Sequence, residues 1–265
     1  MKDEMLVEWV GFPGHEGEVV EAYSARPLAR DETPGIVVLH HAPGLDPWCR
    51  EVVRAFAAEG YAAVAPHLYH RRGPGHWADV AAAGRADGLG VSMPNEQVMG
   101  DVEGAARYLR AQPGSNGKVG IIGFCSGGRQ AFLAACEVPS LDAAVDCWGG
   151  SILPQDPDPL RPNGPTRGVI HRAPDMAVPL LGIFGNDDAN PDVAQVDEIE
   201  RVLTELGKEF EFHRYDGAGH AFFTADKPNY RQEQAVDGWA KVFAFYDKHL
   251  RQEQPCALGS PRRSP

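Results

Sequence analysis

The sequence predicts an α/β protein: a three-layer α/β/α sandwich built on a mostly parallel sheet of about seven or eight strands. Short apolar runs bounded by glycine and proline alternate with amphipathic helical segments along most of the chain, which is the rhythm of strand–helix–strand units. Hydrophobic residues make up 43% and charged residues 23% of the 265 positions. This composition is typical of a folded protein with one large core.

The first half of the chain predicts a hairpin and then a strand–helix–strand unit. In residues 6–26, LVEWVGF and EVVEAYSA flank the turn-rich PGHEG, so we expect an antiparallel hairpin at the sheet edge. IVVLHH and GYAAVAP are the next strands, with a helix over 48–59 between them. Residues 70–95 mix glycine, proline, alanine and histidine, and their apolar residues do not repeat with a single period. This predicts a long surface loop with short helical pieces.

The second half continues the alternation. Helical spacing over 97–111 precedes the buried strand KVGIIGF, and an alanine-rich helix over 127–136 follows it directly. AAVDCWGG, VPLLGIFG and FEFHRY are the remaining strands, and helices are predicted over 191–206 and 229–249. Six prolines in residues 153–177 exclude a regular helix or a central strand there.

The sequence predicts one domain over residues 1–252, followed by a mobile tail over 253–265. A net charge of −12 argues against a nucleic-acid partner. No stretch approaches the roughly 20 apolar residues that span a bilayer, and the first residues lack the apolar core of a signal peptide. Five cysteines without CxxC pairs favour reduced thiols. We therefore expect a cytoplasmic protein without a membrane partner, either a monomer or a homodimer.

The segment GFCSGG contains the candidate nucleophile. It lies between a buried strand and a helix, and a sharp strand-to-helix turn needs small residues around its centre. Three glycines supply them around Cys125, whereas a turn centred on Ser126 would place the bulky Phe124 at a position that requires a small residue. We therefore predict that Cys125 is the nucleophile and that the helix N-terminus favours its thiolate. The alternative is a packing turn with an inert thiol.

Candidate acids and a candidate base follow later strands. The strand VPLLGIFG is followed directly by Asn-Asp-Asp, which contains Asp187 and Asp188. The loop DGAGHAFF places His220 just after the last strand. Ligands of such sheets bind at the carboxyl ends of the strands, so these groups can meet the thiol. An imidazole there can take the proton of Cys125 while a carboxylate orients the ring. Helix capping is the alternative role of the two acids.

GFCSGG, NGKVG, GYAAVAPHLY and YDGAGHAFF together resemble the motifs of dienelactone hydrolases over roughly residues 18–250. The resemblance implies the α/β-hydrolase fold and cofactor-free hydrolysis of a small carboxylic ester or lactone through an acyl-thioester. It implies Asp188 as the acid that orients His220, with Asp187 as the second choice. It also implies an oxyanion hole formed by the backbone N–H groups of Ala42 and Ser126.

The chain departs from this family's pattern at two positions. Dienelactone hydrolases carry a glutamate that helps to activate the thiol where His41 stands here. A histidine cannot act as a carboxylate base, but it can hydrogen-bond the thiol or, when protonated, favour the thiolate, so His41 is a candidate activating residue. They bind the carboxylate of the substrate with arginines. Arg71 looks like one of these, but Thr224 stands in place of the other, which should weaken a preference for anionic lactones. Phe124 and Phe222 are further candidate substrate contacts.

A metal site is not expected. His40, His41, His67 and His70 follow neighbouring strands, but adjacent strand residues point to opposite faces, so His40 and His41 do not readily share an ion. The H-E-x-x-H and cysteine-rich spacings of metal sites are absent from the sequence.

Two other classes of function compete with hydrolysis. One is a noncatalytic ligand-binding or sensing module that keeps the fold. The other is a thiol redox protein, which would require Cys49 or Cys147 to lie near Cys125 and resolve its oxidised form.

Overall fold

The computed structural model describes residues 4–28, 32–86, 93–155 and 168–251, so the predicted tail and parts of both long loops lie outside the described residues. Eight strands form one sheet in the order β1-β2-β4-β3-β5-β6-β7-β8. Strands β3 to β8 are parallel, and the β1–β2 and β2–β4 pairs are antiparallel. The strands are Met5–Pro13 (β1), Val19–Pro27 (β2), Thr33–Leu39 (β3), Ala62–Pro66 (β4), Ser115–Phe124 (β5), Ala143–Cys147 (β6), Leu180–Gly185 (β7) and Phe210–Tyr215 (β8).

Five of the six described helices lie where the apolar periodicity predicts them, and the sixth, Trp77–Ala86, lies in the segment 70–95, for which the sequence predicts only short helical pieces. They are Pro47–Ala58 (α1), Trp77–Ala86 (α2), Asn95–Arg110 (α3), Ser126–Glu137 (α4), Val193–Glu205 (α5) and Gln232–Leu250 (α6). Short 3₁₀ turns occupy His15–Gly17, His70–Arg72 and Ile170–Asp175, and the last of these is the one regular element described within the proline-rich segment. None of the described helices is both long enough and apolar enough to cross a bilayer.

Two hydrophobic cores cover the two faces of the sheet. On β3, Val37 and Leu39 belong to one core, and Ile36 and Val38 belong to the other, because successive strand residues point to opposite faces. Helices α2 to α5 contribute to the first core, and α1 and α6 to the second. The predicted three-layer sandwich is therefore confirmed.

Side-chain caps determine where two of the helices begin. Asp46 precedes α1, and its carboxylate accepts a hydrogen bond from the Cys49 N–H at 2.9 Å. Asp192 precedes α5 and forms a reciprocal capping box with Gln195. Each cap binds an N–H group that the helix itself leaves without a partner.

Candidate active site

The candidate residues gather at one edge of the sheet. Ala42 follows β3, Cys125 follows β5, Asp188 follows β7 and His220 follows β8. These four strands run parallel, so their carboxyl ends lie at the same edge. The fold therefore brings together groups that are far apart in the sequence.

Cys125 occupies the centre of a strained turn. It connects β5 to α4 with φ 56° and ψ −116°, a conformation that residues other than glycine rarely adopt. A Cβ atom added to Gly123 would lie 1.9 Å from the Gly127 carbonyl oxygen, so only glycine fits there. The turn is therefore centred on Cys125 and not on Ser126, as the spacing of the glycines predicts.

Exposure separates Cys125 from the other described cysteines. Cys125 is half-buried, whereas Cys49, Cys136 and Cys147 are buried. Burial raises the pKa of Cys136 to about 12 and raises the pKa values of Cys49 and Cys147 well above the ordinary range. These three thiols therefore stay protonated near neutral pH, and none of them is suited to resolve an oxidised Cys125.

His220 is bound to Asp188. Its Nδ1 lies 2.7 Å from Oδ2 of Asp188, and the other carboxylate oxygen accepts the backbone N–H of Asn190 at 2.9 Å. Asp188 is buried, but Asp187 is exposed. The side-chain amide of Asn229 donates to the His220 carbonyl and anchors the loop that carries the ring.

The ring of His220 connects the carboxylate to the sulfur. Burial alone would lower the pKa of His220, but hydrogen bonds with Asp188 and Cys125, together with the charges of both groups, raise it to about 10. Because Asp188 occupies Nδ1, Nε2 is the ring nitrogen that is left to serve Cys125. The ring of His220 therefore lies between the Asp188 carboxylate and the thiol.

The two candidate oxyanion donors lie on segments that touch. Ser126 is the first residue of α4, where the N–H groups have no acceptor within the helix. A Cβ atom on Gly127 would lie 2.5 Å from the Leu39 carbonyl oxygen and 2.8 Å from that of His40. The first turn of α4 thus packs directly on the end of β3 and on His40, two residues before Ala42.

His41 pairs with an acid that the sequence reasoning did not single out. Its Nε2 lies 2.8 Å from Oδ2 of Asp46, and both side chains are buried. Burial acts to raise the pKa of Asp46, but hydrogen bonds from His41 and Cys49 outweigh it and lower that pKa. An Asp-Pro pair at the start of a helix, as in Asp46-Pro47, is typical of a helix cap. That pattern did not show that the second carboxylate oxygen would bind His41.

Within the described part of the chain, one group of side chains could hold a metal ion. The ligand atoms of His41, Asp46 and Cys49 lie within 4.8 Å of one another. However, one Asp46 oxygen binds His41 and the other caps α1. Burial also keeps the Cys49 thiol protonated. These residues fit a hydrogen-bonded helix cap better than a metal centre.

The structure ties Arg71 to acidic side chains. Its guanidinium donates to Asp101 at 2.7 and 3.0 Å and also to Glu18. The Asp101 side chain is only 1% exposed, so Arg71 neutralises a buried carboxylate. The pairing occupies donors that a substrate carboxylate would need, and a contact between Arg71 and substrate stays a prediction.

The rings of Phe124 and Phe222 are packed inside the protein, and their contact with substrate stays a prediction. Both rings are 0% exposed. Phe124 packs against Trp48 and Trp148, and Phe222 packs against Trp148 as well. Thr224 is also buried, so its side chain does not line the surface of the site.

Comparison with known proteins identifies the family. The model of the "Dienelactone hydrolase family" matches residues 20–250. The chain belongs to the dienelactone hydrolase family. The fold and family predicted from the sequence motifs are thus confirmed, and membership identifies the chain as a dienelactone hydrolase-like hydrolase.

Individual members of the dienelactone hydrolase family match most of the chain. A Salmonella typhimurium protein named "Putative carboxymethylenebutenolidase" is 32% identical over 236 residues, which cover 88% of this chain and 84% of that protein. The "Carboxymethylenebutenolidase" of Pseudomonas putida is 31% identical over 232 residues, which cover 85% of this chain and 90% of that protein. The crystal structure of a "Putative Dienelactone Hydrolase" from Klebsiella pneumoniae superimposes with a TM-score of 0.79 and 28% identity, covering 93% of this chain and 100% of that one.

Proposed function

We propose that the protein hydrolyses a small carboxylic ester or lactone, with Cys125 as nucleophile, His220 as base and acid, and Asp188 as the residue that orients His220. One observation carries the proposal: a strained turn presents a half-buried thiol to an imidazole that also binds a buried carboxylate. That is the arrangement by which cysteine and serine hydrolases activate a nucleophile.

The first step is attack by a thiolate. Hydrogen bonds and the charges of Asp188 and Cys125 raise the pKa of His220 to about 10, so the ring readily takes the proton of the thiol. The sulfur of Cys125 forms a bond to the carbonyl carbon, and the carbonyl π electrons move onto the oxygen. The N–H groups of Ala42 and Ser126 donate to that oxyanion.

The second step breaks the ester bond. The oxyanion collapses, the C–O bond to the leaving alcohol breaks, and Nε2–H of His220 protonates the alkoxide. Cys125 then carries the acyl group as a thioester. In a lactone, the released hydroxyl remains attached to the same acyl chain.

Water completes the cycle. His220 takes a proton from a water molecule, whose oxygen attacks the thioester carbonyl, and the C–S bond breaks to regenerate the thiolate. The net reaction adds one water to one ester and releases an acid and an alcohol. Asp188 keeps the proton of His220 on Nδ1 throughout.

The surroundings of Arg71 and Thr224, the two positions that correspond to the family's carboxylate-binding arginines, bear on the charge of the substrate. Arg71 is paired with Asp101 and Glu18, and Thr224 is buried. The charge of Arg71 is thus already balanced by two acids, and residue 224 carries no charge. We therefore propose that neutral esters and lactones are hydrolysed at least as well as anionic ones.

The test measures hydrolysis of small aryl esters and trapping of the acyl-enzyme. We expect turnover to vanish in Cys125→Ala and His220→Ala, while Cys136→Ala, which removes a buried thiol of the same chain, keeps its activity. Mass spectrometry with a slowly hydrolysed ester should find the acyl group on the peptide that contains Cys125. Full activity of Cys125→Ala, or an adduct on another residue, would contradict the mechanism.

A wild-type protein that hydrolyses no ester or lactone in a screen of varied charge and size would favour a noncatalytic binding module. Rapid labelling of Cys125 by iodoacetamide near neutral pH, with no labelling of Cys136, is the expected sign of an activated thiol. A thiol that resists the reagent would argue for an inert residue.

A further inference from the structure

We infer that His40 is a positioning residue for the oxyanion hole: its buried ring holds the His41–Ala42 peptide group so that the Ala42 N–H faces the reacting carbonyl. The inference rests on the proposed function, because it assigns a role in stabilising the oxyanion of that reaction. His40 touches neither the sulfur nor the substrate in this scheme. It acts through a peptide group.

The hydrogen bonds of His40 determine which nitrogen carries its proton. The backbone N–H of Leu68 lies 3.2 Å from Nε2 of the ring. A backbone N–H can only donate, so Nε2 is the acceptor and Nδ1 carries the hydrogen. Nδ1 lies 2.8 Å from the carbonyl oxygen of His41 and therefore donates to it.

The His41 carbonyl belongs to the same peptide group as the Ala42 N–H. Gly44 N–H donates to this carbonyl oxygen as well, at 2.9 Å, so the oxygen accepts two hydrogen bonds. In a trans peptide the C=O and N–H bonds lie in one plane and point in opposite directions. Fixing the carbonyl therefore fixes the direction of the N–H. It also polarises the peptide, which makes the N–H a stronger donor.

A residue from the turn after β4 also holds Ala42, the residue that follows His41. The hydroxyl of Tyr69 donates to the Ala42 carbonyl at 2.9 Å, and the rings of Tyr69 and His40 pack at 4.9 Å between centroids. Two consecutive carbonyls of the turn after β3 are thus held by residues from one buried cluster. His40 is 1% exposed, and burial lowers its pKa to about 3, so the ring is neutral at working pH.

A loosened donor should affect some reactions of Cys125 and not others. An oxyanion-hole donor acts when charge develops on the substrate oxygen, and removal of one costs roughly 10²- to 10³-fold in rate. Misorientation of the Ala42 N–H should cost about 10- to 100-fold in kcat with little change in KM. Alkylation of the thiolate by iodoacetamide builds no oxyanion, so it should proceed at the wild-type rate.

The experiment compares His40→Leu, His40→Asn and His40→Gln with the wild type. Measurements are kcat and KM on an aryl ester, the second-order rate of Cys125 alkylation, and the thermal midpoint. An asparagine amide can place an N–H where Nδ1 stands, whereas a glutamine amide reaches toward Nε2. We expect kcat to fall about 10- to 100-fold in His40→Leu and His40→Gln, to stay within about threefold of wild type in His40→Asn, and the alkylation rate to be unchanged throughout.

Two outcomes would overturn the inference while leaving the proposed function intact. One is a wild-type kcat in the leucine or glutamine variant. The other is a parallel loss of kcat and alkylation rate, which would show general disruption of the site. If His40→Leu fails to fold, the contrast between the asparagine and glutamine variants still tests the claim, because equal activity of these two would contradict it. A wild-type protein without esterase activity would overturn the proposed function as well.

Discussion

Nδ1 of His220 lies 2.7 Å from Oδ2 of Asp188 across a sequence separation of 32 residues. The preceding residue, Asp187, is exposed and follows the same strand. The loop after β7 therefore presents one of two adjacent carboxylates to the imidazole. This choice makes the pair a natural comparison for mutagenesis.

Replacing Asp188 with asparagine should lower kcat by about 10²- to 10⁴-fold, because the amide does not hold the imidazole in the working tautomer or stabilise its protonated form. Steady-state hydrolysis of an aryl ester is the measurement. The matched control, Asp187→Asn, should stay within about twofold of wild type. Equal losses in the two variants would contradict the assignment.

The stability of the fold should depend on pH through His220. Its pKa is about 10 in the folded protein and 6.5 in the unfolded chain, so its stabilising contribution is complete below pH 6.5 and is lost as pH rises toward 10. The free energy of unfolding of the wild type, relative to His220→Gln, should therefore decrease over this range. Denaturant titrations at several pH values measure this difference. A constant difference would show that the pKa is not raised.

Glycine at position 125 should stabilise the protein while abolishing hydrolysis. The φ of 56° strains any residue with a Cβ, and such strain costs about 1 to 3 kcal/mol, offset in part by the greater freedom of glycine in the unfolded chain. We expect Cys125→Gly to be about 1 kcal/mol more stable than Cys125→Ala. At Cys136, inside α4, the order should reverse by about 1 kcal/mol, since glycine is a poor helix former. The same order at both positions would refute the strain.

A methyl group at Gly123 should prevent the turn from closing. Its Cβ would meet the backbone of Gly127 at 1.9 Å, and backbone cannot move aside as a flexible side chain can. We expect Gly123→Ala to lose at least about 3 kcal/mol or to fail to fold. Gly75→Ala, where the added Cβ makes an ordinary 3.4 Å contact, should stay within about 0.5 kcal/mol of wild type. Chemical denaturation of the two variants checks both expectations.

Arg71→Ala should weaken the fold without a selective effect on anionic substrates. The change leaves the Asp101 carboxylate buried without its guanidinium partner, and because Arg71 is itself partly exposed we expect a loss of about 1 to 3 kcal/mol. Arg107→Ala removes an exposed ion pair to Glu103 and should cost less than about 1 kcal/mol. A KM that rises for anionic esters but not for neutral ones would restore the substrate-binding role of Arg71.

Much of the architecture was predictable from contiguous residues. Strand and helix positions follow from apolar periodicity, which is a local property, and the predicted elements lie within about three residues of the observed ones. The turn at Cys125 was predictable for a related reason. The turn requires residues without a side chain close to Cys125 in the sequence, so Gly123 and Gly127 indicate it.

Contacts between separate loops were beyond this kind of reasoning. Local patterns were enough to predict the layer order, the strained turn and the set of candidate acids and bases at the carboxyl ends of the strands. The family resemblance implied that Asp188 orients His220, but the folded structure was needed to show this bond and to show that Arg71 binds Asp101 and His40 binds the His41 carbonyl. Such pairings depend on strand order and on the path of each loop in space, and neither is encoded in the spacing of residues along one segment.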